Sequence, residues 1–259
     1  MLKYILPKAA AKAVSDVVTA LFNRAKARFL GKTYKATEIQ IGYITKPLEH
    51  REDLSLPGIF DSAAKAEGVT NPNEKLRQSC IDIASQYFDA HLEATKAQVL
   101  NAVQSYLHES QTSGTVDPDK ELKEALESVV EKAASNIKTV TENETTRGKN
   151  LGSIDAILRM AAVDGVQDPL IYFSGPSDSH TCNECLRMFF MPDRITPRVW
   201  RMSELSHAYH VRGADRPSIC SGHPNCRHFI VSILPGYGFS GGSLKFIAPD
   251  YDILKDQRG

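Results

Sequence analysis

Cys182 and Cys185 stand at C-x-x-C spacing in SDSHTCNECLRMFF (177–190), and SICSGHPNCRHF (218–229) adds Cys220, His223, Cys226 and His228. Four of the five cysteines therefore fall between 182 and 226, the placing of a metal site rather than of a spread disulfide framework. Zinc takes four tetrahedral ligands from thiolates and imidazoles, and a C-x-x-C turn bites one face of the ion. His223-x-x-Cys226 has the matching bite. The expected ligands are thus Cys182, Cys185, His223 and Cys226, with Cys220 and His228 as alternates. Closing ~37 residues instead of ~15 costs only about 0.8 kcal/mol more, small against the roughly 10–16 kcal/mol of structural zinc. The competing readings are a buried thiol cluster and disulfides. Four protein ligands leave no open coordination position, so the expected cofactor is structural Zn2+ and not a hydrolytic metal.

Upstream of this cluster the pattern is helical. From Lys8 to Leu30 the apolar residues Ala10, Val14, Val17, Leu21, Ala25 and Phe29 recur at helical spacing, which predicts an amphipathic helix. In TNPNEKLRQ, Asn71 is the expected cap, Pro72 suits the first helical position, and Glu74 returns the hydrogen bond. The helix it opens carries the stripe Leu76, Cys80, Ile83, Tyr87, His91, Val99, Val103 and Tyr106, with Cys80 as a small buried hydrophobe. Asp117 and Pro118 repeat the cap chemistry before Leu122, Ala125, Leu126, Val129, Ala133, Ile137 and Val140. Two such helices joined by the polar break ESQTSGTV should pair antiparallel. A third helix is expected over about 151–163, ending before Gly165.

After Asp168 the texture changes. LIYFSG (170–175) and RHFIVSIL (227–234) read as short buried strands, and PGYGFSGG (235–242) as a Gly-rich turn. His207 and His210 in SELSHAYH are spaced i, i+3, as residues sharing a helix face would be, and Trp200 with Arg201 reads as an anchor over the metal unit. The expected fold is α+β and predominantly helical: a long antiparallel helical hairpin followed by a small zinc-stapled α+β C-terminal unit. Its parts are a basic N-terminal helix (1–35), a loop-rich connector holding one short strand or helix (36–70), the hairpin plus third helix (71–165) and the Cys/His unit (166–259).

Charge matters locally. The 31 basic and 31 acidic residues cancel, yet residues 1–36 hold eight Lys or Arg against Asp16, and 109–144 hold nine carboxylates against four lysines. Lys8, Lys12, Arg24, Lys26 and Arg28 are the candidate contacts to DNA phosphates or an acidic partner. No apolar run approaches the ~20 residues of a membrane span. Lys8 and Lys12 interrupt what would be the apolar part of a signal peptide, so synthesis and residence in cytoplasm are expected.

TENETTRGKNLGSIDAILRMAAVDGV (141–166), then SDSHTCNECL and GHPNCRH, resemble the phage Mu F-like head morphogenesis proteins, the minor head proteins related to that of phage SPP1. The first segment is similar to that family's acidic-Thr-Arg-Asn-Gly helix. The others are similar to its Asp-x-x-x-Cys-x-x-Cys and His-Pro-Asn-Cys-Arg-Cys signatures, matched here by Asp178, Cys182, Cys185, His223 and Cys226. His228 stands where the family commonly has Cys, which leaves the fourth ligand open. The resemblance covers about 141–230. It implies a low-copy, multimeric virion protein made in the host bacterial cytoplasm, active in head assembly near the portal and other connector proteins, possessing no catalytic function. Two alternatives remain: a treble-clef metal-dependent nuclease using His207 or His210, and a DNA- or RNA-binding module using the basic helix.

Overall fold

The computed structural model describes residues 2–31, 55–112, 118–219, 223 and 226–258, with 2–8, 10, 109–112 and 118–119 described by backbone alone. Among them the chain is mixed α+β and predominantly helical, with α1 (Leu2–Phe29), α2 (Leu56–Ala66), α3 (Glu74–Thr112), α4 (Pro118–Val163), α5 (Asn183–Phe189) and α6 (Ile253–Arg258). The strands are β1 (Leu170–Ser174), β2 (Val199–Arg201), β3 (Phe229–Ile233), β4 (Tyr237–Ser240) and β5 (Ser243–Phe246). Two compact units result, residues 1–55 with 81–141, and residues 56–80 with 142–259. No described helix is long and apolar enough to cross a membrane.

In the first unit, Ala11 of α1, Val99 and Val103 of α3, and Leu122, Leu126 and Val129 of α4 form one buried cluster. Phe29 meets Phe88 at 5.9 Å between ring centroids, and Asn136 donates to the Thr95 hydroxyl at 3.4 Å. The expected stripe of α4 is the one found, but those of α1 and α3 slip. Ala11, Val18 and Phe22 are buried where Val14, Val17 and Leu21 were expected, and Phe88 and Leu92 displace Tyr87 and His91, which are half-buried. A helix face is wide enough that two adjacent registers both look apolar; in α3 the side chains without polar atoms, Phe88 and Leu92, take the inner one.

In the second unit, α3 is capped two residues beyond the predicted position. Asn73, not Asn71, is the capping residue: its Oδ1 accepts from the backbone N–H of Lys75 and Leu76 at 3.1 and 3.2 Å. Its own N–H is held by Asp155 Oδ2 at 2.7 Å, which keeps Asn73 out of the helix. Asp117, the other expected cap, lies outside the described residues. Among the described residues of the connector, 55–70, the element is α2. The separate third helix is not formed, because α4 runs unbroken from 118 to 163. Gly148 and Gly152, weak helix formers, are here points of close approach. A Cβ at 152 would lie 2.4 Å from the Phe60 carbonyl oxygen, and one at 148 would lie 2.6 Å from Leu56 Cδ1. The helix loses about 1 kcal/mol at each glycine relative to alanine and gains contact with α2. As expected, it stops before Gly165, whose φ is 71°.

The two predicted strands are β1 and β3, paired antiparallel with Tyr172 opposite Val231 in a sheet ordered β2-β1-β3. Ile171 and Phe173 point to one fully buried face, while Leu170 and Tyr172 meet the cluster of Val199, Ile233, Ile253 and Leu254 on the other. The Gly-rich stretch expected as a turn is a β4–β5 hairpin. Ser240 pairs with Ser243 across Gly241 and Gly242, both at positive φ, the two-residue loop that matches strand twist. Polar side chains of α6 cover β2: Gln257 binds Val199 N–H and the Pro197 carbonyl, each at 2.9 Å, and Arg258 donates to the Val199 carbonyl.

Candidate metal centre

The sheet brings the two Cys/His segments together. Cys182 ends the loop after β1 and caps α5, its Sγ accepting from Cys185 N–H at 3.4 Å, while Cys226 and His228 lead into β3. Antiparallel pairing of β1 with β3 therefore sets the start of α5 beside residues 226–228. Two overlapping groups of ligand atoms result, Cys182–Cys185–His223 and Cys185–Cys226–His228, each within 4.8 Å. Cys185, fully buried, belongs to both. Cys220 lies outside the described residues.

The separations fit a tetrahedral ion. With metal–sulfur bonds of about 2.3 Å and metal–nitrogen bonds of about 2.0 Å, a tetrahedron has S···S edges of about 3.8 Å and S···N edges of about 3.5 Å. Cys185 Sγ lies 3.8 Å from Cys226 Sγ, and Cys226 Sγ lies 3.6 Å from His228 Nδ1. His228 is 3% exposed and its Nε2 lies 3.1 Å from the Pro176 carbonyl oxygen. A carbonyl only accepts, so Nε2 bears the proton and Nδ1 presents its lone pair to the cluster. Phe189 and Phe190 wall the ring at 5.0 and 5.6 Å. Gly175 makes the seat, since a Cβ there would fall 2.5 Å from His228 Cδ2.

Charge around the cluster is arranged by a second set of residues. Arg227, between Cys226 and His228, donates to both carboxylate oxygens of Asp178 at 2.8 and 2.6 Å, stitching the β3 lead-in to the loop before Cys182. That fork holds Asp178 far below the usual carboxylate range, helped by the His180 N–H and the Thr181 hydroxyl. The Cys226 thiol and then burial push the Cys185 thiol far above its ordinary value, with Cys182 adding to the shift. Crowded thiols resist ionisation in one another's company, and a divalent cation reverses that balance by taking the thiolates.

Sequence reading missed the polar face of α4 that braces this region. Glu144, Arg147 and Asn150 are buried at i, i+3 and i+6. Arg147 binds Glu144 through Nε at 2.9 Å and through Nη2, and donates to the Cys80 carbonyl at 2.8 Å; Glu144 accepts from the Tyr209 hydroxyl. Asn150 donates to the Ile219 carbonyl at 2.8 Å and accepts from Ile230 N–H at 3.2 Å, gripping the second Cys/His segment on both sides. The available signal was three polar residues in register with an apolar stripe. Cys80, as expected, is a structural thiol, pushed up to about 11 by burial.

His210 Nε2 lies 2.9 Å from Glu184, whose carboxyl is drawn down to about 2 by Arg187, then by Gly213 N–H and by His210 itself. Residues 205–210 are not helical, so the expected shared helix face of His207 and His210 is not formed: His210 belongs to a hydrogen-bonded corner of the α5 surface, and His207 is exposed. Trp200 is buried, with Arg258 over its ring at 5.5 Å. Of the basic residues proposed for partners, Lys26 is paired with Asp89 at 2.6 Å, Arg28 is partly buried, and Lys12 and Arg24 are exposed; the Lys8 side chain lies outside the described residues. Comparison with protein-family models, curated proteins and solved structures finds no match.

Proposed function

We propose that this chain is a structural minor head protein of a tailed bacteriophage, a low-copy virion component of the portal or head interior whose C-terminal unit is stapled by zinc. One observation carries it. The segments that resemble the head morphogenesis proteins, 141–166 and the two Cys/His pairs, converge on one centre, where Asn150 grips the second pair on both sides. Cys182, Cys185 and Cys226 supply three thiolates, and His228, whose ring is already locked by Pro176, supplies the fourth ligand in preference to His223. When bound, the ion contributes folding free energy and no reactive position. In the first unit, α3 and α4 are read as an antiparallel hairpin offering side surfaces to portal or connector proteins, with α1 as a basic arm toward an acidic partner or packaged DNA.

Two measurements test the reading. Quantitative mass spectrometry of purified, nuclease-treated particles should find the chain at low, fixed ratio to the major capsid protein; its absence from clean particles refutes a virion role. Zinc per chain should fall to zero in Cys185→Ser, the residue common to both groups, and fall in His228→Ala but not in His223→Ala. Full zinc in Cys185→Ser removes the centre from the proposal.

A further inference from the structure

Along α5 and the loop after it lies a cavity of about 440 Å³, lined by Arg187, Arg194, Arg198 and the apolar side chains of Leu186, Met191 and Pro192, and reaching Phe190, which walls His228 on another side. Three guanidinium groups on one cavity repel each other, and within a protein such groups normally answer to carboxylates. Here two do not. Neither Arg194 nor Arg198 forms a side-chain hydrogen bond or ion pair among the described residues, and Arg198 Nε is buried without a partner. The Trp200 ring, with its centroid 5.8 Å from Arg198 Cζ, offers an attractive face but no lone-pair acceptor. Burial first, then the charges of Arg187 and Arg258, lower the pKa of Arg198 from its ordinary value, so the molecule holds this cation against its own electrostatics.

Two of the nearby acids are engaged elsewhere, while the charge of Asp215 acts on Arg187. Asp193 spends its carboxylate on Ile195 N–H, Thr196 N–H and the Thr196 hydroxyl, and Glu184 is bound by Arg187, His210 and Gly213 N–H. Arg187 is held in place by Glu184 at 2.7 Å and the Ala214 carbonyl at 2.6 Å, so it acts as a fixed charge. Arg194 has φ of 58°, rare for a residue with a Cβ, and its carbonyl accepts from the Ser177 hydroxyl at 2.5 Å. An anion with several oxygens matches these planar forks, and the apolar shelf beside the arginines suits a flat ring attached to it.

We propose that this cavity binds the phosphate of a nucleotide, free or within a single strand, with Arg194 and Arg198 as its ligands and Arg187 as a fixed neighbouring charge. The site uses none of the Cys/His ligands. Zinc measured on the same samples therefore separates its failure from failure of the metal reading.

The test uses the intact chain and two probes: adenosine monophosphate followed by titration calorimetry, and labelled oligothymidylate followed by fluorescence anisotropy. Saturable binding of at least one is expected, weakened about tenfold in Arg198→Gln and in Arg194→Gln, the loss of one charge-assisted hydrogen-bonding group. Arg216→Gln, exposed and outside the cavity, should bind as the parent does. Binding of the monophosphate supports a free nucleotide as the source, and binding of the strand alone supports a phosphodiester. Arg194 is exposed, so its variant keeps the test decisive if Arg198→Gln fails to fold. No saturable binding of either probe overturns the proposal. So does parental affinity in both variants, including the case in which deleting residues 1–30 abolishes the binding.

Discussion

His228 and Gly175 show how much of a metal centre can depend on a residue that offers no ligand. The imidazole reaches the cluster only because position 175 has no Cβ, and its tautomer is set by the Pro176 carbonyl beside it. Gly175→Ala should lower zinc affinity by about 10–100-fold, the range for disturbed outer-shell partners, with helix content unchanged; competition against a chromophoric chelator measures it. Arg147 is a second such residue. Replacing it with Met leaves the Glu144 carboxylate buried with only Tyr209 and should cost about 3–5 kcal/mol, read by urea unfolding. A surface-like loss below about 1 kcal/mol would mean that water reaches Glu144 and that α4 does not brace this region as described.

Among the elements, α6 shows a dependence on pH that its short sequence does not announce. Arg258 holds Glu204 at 2.8 Å, and this ion pair is the first cause of the depressed Glu204 pKa. A carboxylate whose folded pKa lies below its ordinary 4.5 contributes stability that is complete above that value and is lost as pH falls through the depressed one. Hydrogen exchange in 253–258 should therefore accelerate as pH drops below about 4.5 once intrinsic chemistry is corrected, and Glu204→Gln should abolish the dependence. The unbroken α4 makes the converse point. Gly148 and Gly152 read as a weak place between two helices, but close approach to α2 makes them the residues that permit the packing. The same information is missing from the slipped stripes of α1 and α3, where the neighbour that selects a register lies many residues away.

For the chain as a whole, the division into two compact parts predicts a selective response to metal removal. With the proposed zinc bound, a strong chelator should raise amide exchange in β1, α5 and β3 while leaving the Val99, Val103, Leu122 and Leu126 cluster protected. Mass-spectrometric exchange resolves the two, and equal loss in both would show that the ion supports the entire fold. The charge asymmetry enters at this level too. Lys26 is spent on Asp89, so the basic character of α1 available to a partner rests on exposed residues such as Lys12 and Arg24.

Hydrophobic period and ligand spacing are local properties, and they sufficed for the helical character, the strands β1 and β3, the stop at Gly165 and the five described Cys and His residues that come together. They did not distinguish Asn71 from Asn73 as cap, because the choice rests on a hydrogen bond to Asp155 across 82 positions. Nor did they disclose the Glu144–Arg147–Asn150 brace, the seat at Gly175 or the arginine cavity. The brace and the seat exist only where segments distant along the chain meet, and there burial multiplies the strength of a charge or a hydrogen bond whose sequence looks ordinary; the cavity is local, built by residues 183–198, but needs the fold of the loop after α5 to gather its arginines.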